Sequence, residues 1–138
     1  MLRKDAKIEL IRKVPIFSQC RKKDLAAVAA LADVVDVPGG AELVTEGHAG
    51  AHEFMIIVEG AAEVRRGGRK VAALGPGEFF GEIALIGGGP RTATVKTTAP
   101  SVLLVVTNRP FRALLAQLPT LQASVLAALA ARLQANAV

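Results

Sequence analysis

The 138-residue sequence has no tryptophan and no tyrosine, and none of its five phenylalanines lies beyond Phe111. No aromatic side chain beyond residue 111 is therefore present to stack on a planar ligand. A single cysteine, Cys20, excludes an internal disulfide and points to a reducing, cytoplasmic setting. It reads as a buried or inert thiol. No stretch reaches the roughly eighteen uncharged apolar residues of a membrane helix. The Ala- and Leu-rich C-terminus comes closest, but Arg132 and several glutamines interrupt it. The charged start Met1-Leu2-Arg3-Lys4-Asp5 lacks the apolar core of a signal peptide. Histidine is scarce too: His48 and His52 stand four apart in a glycine-rich loop, near Glu53 and Glu59, with no third histidine. That spacing suits two ligands on one helix face better than on strands, so no metal site is expected. No Ser/His/Asp or Cys/His constellation is visible, so no catalytic residue is assigned and an enzyme is not the expected class.

What is present is one domain's worth of chain, long enough to bury a core without disulfides or metals. The net charge is +5, and residues 1–23 alone carry eight Lys/Arg against Asp5 and Glu9. A basic N-terminal helix of this kind suits an acidic partner domain, a membrane surface or nucleic acid, and a solvated face is the plainer reading.

The chain has three textures. Residues 1–31 read as helices: a loosely amphipathic run over 2–13, a break at Val14-Pro15-Ile16-Phe17-Ser18, then a helix to about Leu31 with Asp24 in its first turn and Ser18 as a candidate cap. Phe17 reads as a core plug. From residue 32 to 106 short apolar runs recur at Val34–Val37, Leu43–Thr45, Phe54–Val58, Ala61–Arg65, Lys70–Leu74, Thr92–Thr98 and Val102–Val106. Glycine or proline separates most of them, as in a β-sandwich or barrel. Phe54–Val58 is apolar on both faces and so is expected to be a central strand. Arg65-Arg66-Gly67-Gly68-Arg69-Lys70 reads as an exposed hairpin tip. Residues 108–138 return to helix, with Asn108 as an N-cap and Pro119 in the first turn of a last helix to about Asn136. Leu118, Leu121, Val125, Leu129 and Leu133 lie near one face of it, with Leu126 beside them. A helix this apolar must be covered by something.

The densest chemistry lies in Gly75–Val95, GPGEFFGEIALIGGGPRTATV. Glycine-rich backbone can approach a ligand closely. A short helical run beginning at Gly81 and stopped by Gly87-Gly88-Gly89 offers free N–H groups to an anion. Arg91 follows at the head of a β-like run, and its planar fork suits phosphate. This stretch closely resembles the phosphate-binding cassette of the cyclic nucleotide-binding domain family, which includes cAMP receptor proteins, protein kinase A regulatory subunits and cyclic nucleotide-gated channels. The motif stands as Phe80-Gly81-Glu82-Ile83-Ala84-Leu85, a spacer, then Pro90-Arg91-Thr92-Ala93-Thr94-Val95, with Glu82 and Arg91 nine residues apart. Glu46-Gly47, Gly50, Phe54, Ile56 and Gly60 resemble the family too, so the likeness runs from about Leu10 to Leu118.

The resemblance implies a mainly β fold with flanking helices. That fold is an eight-stranded antiparallel β-roll (a double-stranded β-helix, jelly-roll-like) with N-terminal helices, an internal phosphate-binding helix and two C-terminal helices. On this basis residues 1–138 form a single cyclic nucleotide-binding domain, with the cassette at 77–95 inside a roll at 32–106. It implies ligand contacts at Phe80, Gly81, Glu82, Ile83, Ala84, Pro90, Arg91, Thr92 and Ala93. Arg91 would pair with the cyclic phosphate, helped by N–H groups at Ile83, Ala84 and Ala93, and Glu82 would accept from the ribose 2′-hydroxyl. Thr92 bears on the base: its hydroxyl can reach the 2-amino group of a syn guanine, yet many bacterial-type cAMP binders carry Thr or Ser there. The expected ligand is cAMP, with cGMP tolerated, as a regulatory ligand rather than a catalytic cofactor. With no C-terminal aromatic, the candidate lid residues are Leu126, Leu129, Arg132 and Leu133. The expected partners are the nucleotide, an effector protein or attached domain, and, through the terminal helices, a second copy of the chain. Two alternatives come from other classes. One is a metal-dependent cupin-type enzyme on a similar barrel. The other is a fragment of a DNA-binding transcription regulator; with the sequence ending at Val138, no helix-turn-helix and no direct DNA reading are expected.

Overall fold

The computed structural model describes residues 2–47, 53–81, 85 and 92–136. They fall into two compact units, one made of residues 1–32 and 109–138, the other of residues 33–108.

The second unit is all β. Its strands are β1 Asp33–Val37, β2 Glu42–Val44, β3 Glu53–Glu59, β4 Ala62–Arg66, β5 Arg69–Leu74, β6 Phe79–Phe80, β7 Thr94–Thr97 and β8 Ser101–Thr107. They form two four-stranded antiparallel sheets, ordered β1-β8-β3-β6 and β2-β7-β4-β5. The expected runs all become strands, with ends shifted by a residue or two. β3 is central, between β8 and β6, and Phe54, Met55, Ile56 and Ile57 are all buried, as a strand apolar on both faces requires. Strand alternation sends Met55 and Ile57 with Leu103 and Val105 into one core, which Val44, Ala62 and Val95 complete from the other sheet. β6 was not foreseen. Two residues carry no periodicity, and the strand exists because Phe79 and Phe80 pair with Ile56 and Met55. The Phe79 ring also meets Phe54 edge-on, with centroids 6.2 Å apart.

Gly60, between β3 and β4, sits at φ 102°, and a Cβ there would come within 2.2 Å of Ser101 Oγ and 2.7 Å of Pro100 O. Both the left-handed backbone and the close approach exclude any larger residue. Gly60→Ala is therefore expected to destabilise the protein by about 1–3 kcal/mol or more, read as a lower urea midpoint with an unchanged slope.

The first unit is helical: α1 Lys4–Arg12, a 3-10 turn Pro15–Phe17, α2 Lys22–Leu31, α3 Asn108–Gln117 and α4 Pro119–Asn136. Asn108 itself clusters with the β unit, and α3 starts directly where β8 ends. Pro15 opens the 3-10 turn, where its fixed φ fits and its missing N–H is not needed. Phe17 is fully buried, and its ring meets Phe111 edge-on at 5.7 Å, so it is the plug the sequence suggested. Ser18 is not the cap of α2. That helix begins at Lys22 with Arg21 before it and no side-chain cap, while Ser18 Oγ donates back to Pro15 O at 2.8 Å. The inner face of α4 also differs from the expected stripe. Leu121, Val125 and Ala128 are buried, Leu129 is half-buried, and Leu126 is 68% exposed. Small Ala128 takes an inner position by the 3-4 spacing of the helix, which rotates Leu126 outward. No single helix among the described residues is long and apolar enough to cross a membrane.

One buried polar cluster joins α2 to α4. Asp24 is 2% exposed, and its Oδ1 accepts from Thr120 Oγ1 at 3.0 Å, with Arg21 Nε 3.9 Å from Oδ2. Beside it, Cys20 is half-buried. Burial, and then the Asp24 charge, push its thiol up from the ordinary 9.0 to about 11, against a bond with Ser124 that pulls it down. Cys20 is thus protonated and unreactive near neutrality. A raised folded-state pKa favours the folded form below pH 9, and that contribution fades as pH rises from 9 towards 11. Alkylation of Cys20 at pH 8 is expected to be slow in the native protein and fast once urea unfolds it. Equal rates in the two states would contradict this environment.

Candidate functional site

In the β unit, side chains from four strands converge on a cavity of about 220 Å³ lined by Val44, Val64, Arg66, Phe80, Gly81, Thr92, Ala93 and Val95. Val64 of β4 faces Val95 of β7 in register, and Val44 of β2 is also paired with Val95, so three valines from one sheet make an apolar wall. Phe80 ends β6, and Gly81 turns the chain away with φ 81°, a conformation that glycine adopts at little cost. Thr92 and Ala93 lead into β7.

Polar groups tie the rim together. Glu46, just after β2, donates its backbone N–H to Thr94 Oγ1 at 2.9 Å, and its carboxylate accepts from Gly67 N at 2.9 Å. The β4–β5 turn is thereby held to the segment after β2 and, through it, to the start of β7. A second tie comes from Arg66, whose Nε donates to Thr92 O at 3.1 Å across 26 residues of sequence. Gly67 and Gly68 form the turn itself, as expected of an exposed hairpin tip. Arg66, however, is more than tip: it lines the cavity. Sequence reading missed this, although a signal was there. Ala62, Val64 and Arg66 alternate along β4, so a strand that buries Ala62 and partly buries Val64 turns Arg66 to the same side.

Of the residues expected to bind ligand, Phe80, Gly81, Thr92 and Ala93 come together around this one cavity. Glu82, Ile83, Ala84, Pro90 and Arg91 lie outside the described residues, as do His48 and His52. Leu85, which is described, is fully buried. Among the lid candidates, Leu126 and Leu129 are on α4 in the helical unit, and the side chains of Arg132 and Leu133 lie outside the described set. Among the described residues, no three His, Cys, Asp or Glu are grouped to hold a metal ion.

The cavity's make-up is chemically specific. An apolar wall suits the face of a ring system, and a glycine turn, a hydroxyl and a guanidinium at its edge suit a polar, negatively charged or acceptor-rich ligand.

A family model described as "Cyclic nucleotide-binding domain" matches residues 34–118. A cyclic nucleotide-gated potassium channel of Mesorhizobium japonicum is 34% identical over 111 residues, 80% of this chain and 30% of the channel. Among solved structures, the N-terminal domain of a transcriptional regulator from Streptomyces coelicolor A3(2) has a TM-score of 0.81 at 27% identity, covering 91% of this chain and 90% of that one. The regulatory domain of Toxoplasma gondii PKA, co-crystallised with cAMP, has a TM-score of 0.73 at 28% identity, covering 80% of this chain and 44% of that one. The two antiparallel sheets with flanking helices are the β-roll of these neighbours. The chain spans 17% to 30% of the length of four curated relatives that it matches.

Proposed function

This chain belongs to the cyclic nucleotide-binding domain family, and from that premise we propose that it is a non-catalytic regulatory module that binds cAMP in preference to cGMP, in the cavity bordered by Phe80, Gly81, Thr92 and Ala93. One observation carries the reading. The two ends of the cassette motif, eleven residues apart between Gly81 and Thr92 in the chain, meet around a single concavity. A motif that only turned a corner would not need its two ends to line one space. The cAMP-bound neighbour supports the choice of ligand.

In this reading Arg91 neutralises the cyclic phosphate, the N–H groups of Ile83, Ala84 and Ala93 bond its oxygens, and Glu82 holds the ribose 2′-hydroxyl. The apolar wall of Val44, Val64 and Val95 receives the base. Ligand occupancy then shifts the populations of the helical unit, which passes the change to an effector protein or attached domain. A ligand can shift such an equilibrium only by its difference in affinity for the two states, so the effector's response is bounded by that difference.

Titration calorimetry with cAMP, cGMP and AMP side by side tests the proposal. The expected result is binding of the two cyclic nucleotides, cAMP the tighter, and much weaker binding of AMP, whose phosphate is not closed into the ring. A protein that binds none of the three, or that binds AMP as well as cAMP, overturns it.

A further inference from the structure

The exposed apolar side chains are not scattered. Among the described residues four large ones stand exposed, and three of them, Val34, Val35 and Val71, lie on β1 and β5. Both strands are edges: β1 ends the sheet β1-β8-β3-β6, and β5 ends the sheet β2-β7-β4-β5. The other two edges, β6 and β2, are only two and three residues long. β1 and β5 are five and six residues long, and every residue but the last of each is exposed. Among the described residues, neither makes a backbone hydrogen bond outside the ladder to its one neighbour. Each therefore presents a row of unpaired N–H and C=O groups, which is a template for a further strand.

The two edges carry opposite charges. β1 reads Asp-Val-Val-Asp-Val, with Asp33 and Asp36 and no base, whereas β5 reads Arg-Lys-Val-Ala-Ala-Leu, with Arg69 and Lys70 and no acid. None of these four side chains forms an ion pair among the described residues. Charges on an edge strand guard it against pairing. Here they guard selectively. A β1 against another β1 sets carboxylates together, a β5 against another β5 sets cations together, and like charges across strands are destabilising. In β1 against β5 the charges attract. The apolar residues agree with this combination. In the antiparallel register that places Val34 opposite Val71, Asp36 falls opposite Arg69, and Lys70 falls opposite Val35, which its aliphatic stem can cover. Val71 is available because β5 bulges there: Val64 and Arg65 of β4 pair with Ala72 and Lys70, which leaves Val71 without a β4 partner.

We propose that β1 of one copy of this chain pairs with β5 of a second copy, so that a four-stranded sheet of one continues into the other sheet of the next. The contact is independent of nucleotide binding and uses none of the cavity residues. Because the two patches differ, it is head to tail. It leaves a free β1 at one end and a free β5 at the other, and so propagates beyond a dimer unless the rotation closes a ring. Strands this short make a small interface, so the association is weak and depends on concentration. Its charge pairs are exposed, so salt weakens it.

Sedimentation of the full chain over a concentration series, at low and at high salt, is the test. The unaltered protein is expected to exceed the mass of a dimer as its concentration approaches about 1 mM, and to return towards monomer when salt is raised to about 0.5 M. Asp33→Lys with Asp36→Lys makes both edges basic, and Arg69→Glu with Lys70→Glu makes both acidic. Each double variant alone is expected to stay monomeric. Mixed in equal amounts, the two are expected to associate again, because every basic edge then finds an acidic one. That restoration is the decisive readout, since mixing cannot repair a damaged fold. The substituted side chains are exposed, so both variants are expected to fold, and a thermal melt checks this. An unaltered protein that is monomeric throughout overturns the proposal, as the edges then serve another partner or none. Self-association that persists in both variants places the contact elsewhere, on the terminal helices for instance, and overturns it too. So do variants that lose association and fail to regain it when mixed.

Discussion

Arg91→Ala is expected to abolish measurable nucleotide binding. In the proposed site Arg91 is the group that neutralises the cyclic phosphate. Removing it leaves that anion in the cavity without its counter-charge, at a cost of about 3–5 kcal/mol. Since each 1.4 kcal/mol is tenfold, the loss of affinity is roughly two to three orders of magnitude or more. Arg91→Lys keeps the charge but replaces a two-pronged fork by a point donor, so an intermediate loss is expected. Two measurements check this. Calorimetry reads the affinity directly. Thermal unfolding reads it by linkage: a ligand at a hundred times its Kd stabilises the native state by about 2.7 kcal/mol, and the alanine variant should lose that shift. An Arg91→Ala protein with unchanged affinity would remove the basis for placing phosphate at the cassette.

Phe17→Ala is expected to have the largest effect on stability. Phe17 closes the 3-10 turn, is fully buried and meets Phe111 edge-on. Its backbone is fastened on both sides, the N–H donating to Val14 O at 2.9 Å and the carbonyl accepting from Cys20 N at 3.1 Å. The turn therefore cannot easily collapse into the space left by the ring. Truncation should cost about 3–5 kcal/mol, which for a chain of this size lowers the melting temperature by roughly 10 °C or more. Phe17→Leu fills more of the space and should cost distinctly less. The check is thermal unfolding followed by circular dichroism. A melting temperature within a degree or two of the parent's would show that the ring is not a keystone of the helical unit.

Between them, these two residues mark how far the sequence could be read. Phe17 could be assigned to the core because a Pro-x-Phe step between two helical runs has few other uses for a large ring. Arg91 takes its expected role from resemblance alone, through a motif that occupies sixteen consecutive positions, Phe80 to Val95, and it lies outside the described residues. Other details were not written in the local pattern. β5 reads as an apolar run, yet Val71 is 51% exposed, because β5 ends its sheet and has a neighbour on one side only. Ser18 has the chemistry of a cap, yet the chain spends it on Pro15 O and starts the helix at Lys22. On α4, Leu126 and Ala128 exchange the roles that hydrophobicity alone would assign them.

What the sequence determined unaided is whatever short-range physics writes into adjacent residues. That covers where helix gives way to strand, where glycine and proline turn the chain, that Phe54–Val58 is central, and that a glycine-rich stretch resembling the family's cassette spans 77–95. What only the tertiary structure decided is whatever needs residues far apart in the chain to meet. The two-residue strand β6 exists through its pairing with β3, and Arg66 reaches the cavity because its Nε finds Thr92 O across 26 positions. Periodicity and turn chemistry act over a few residues, whereas strand order and cavity lining are settled by which distant segments bury one another.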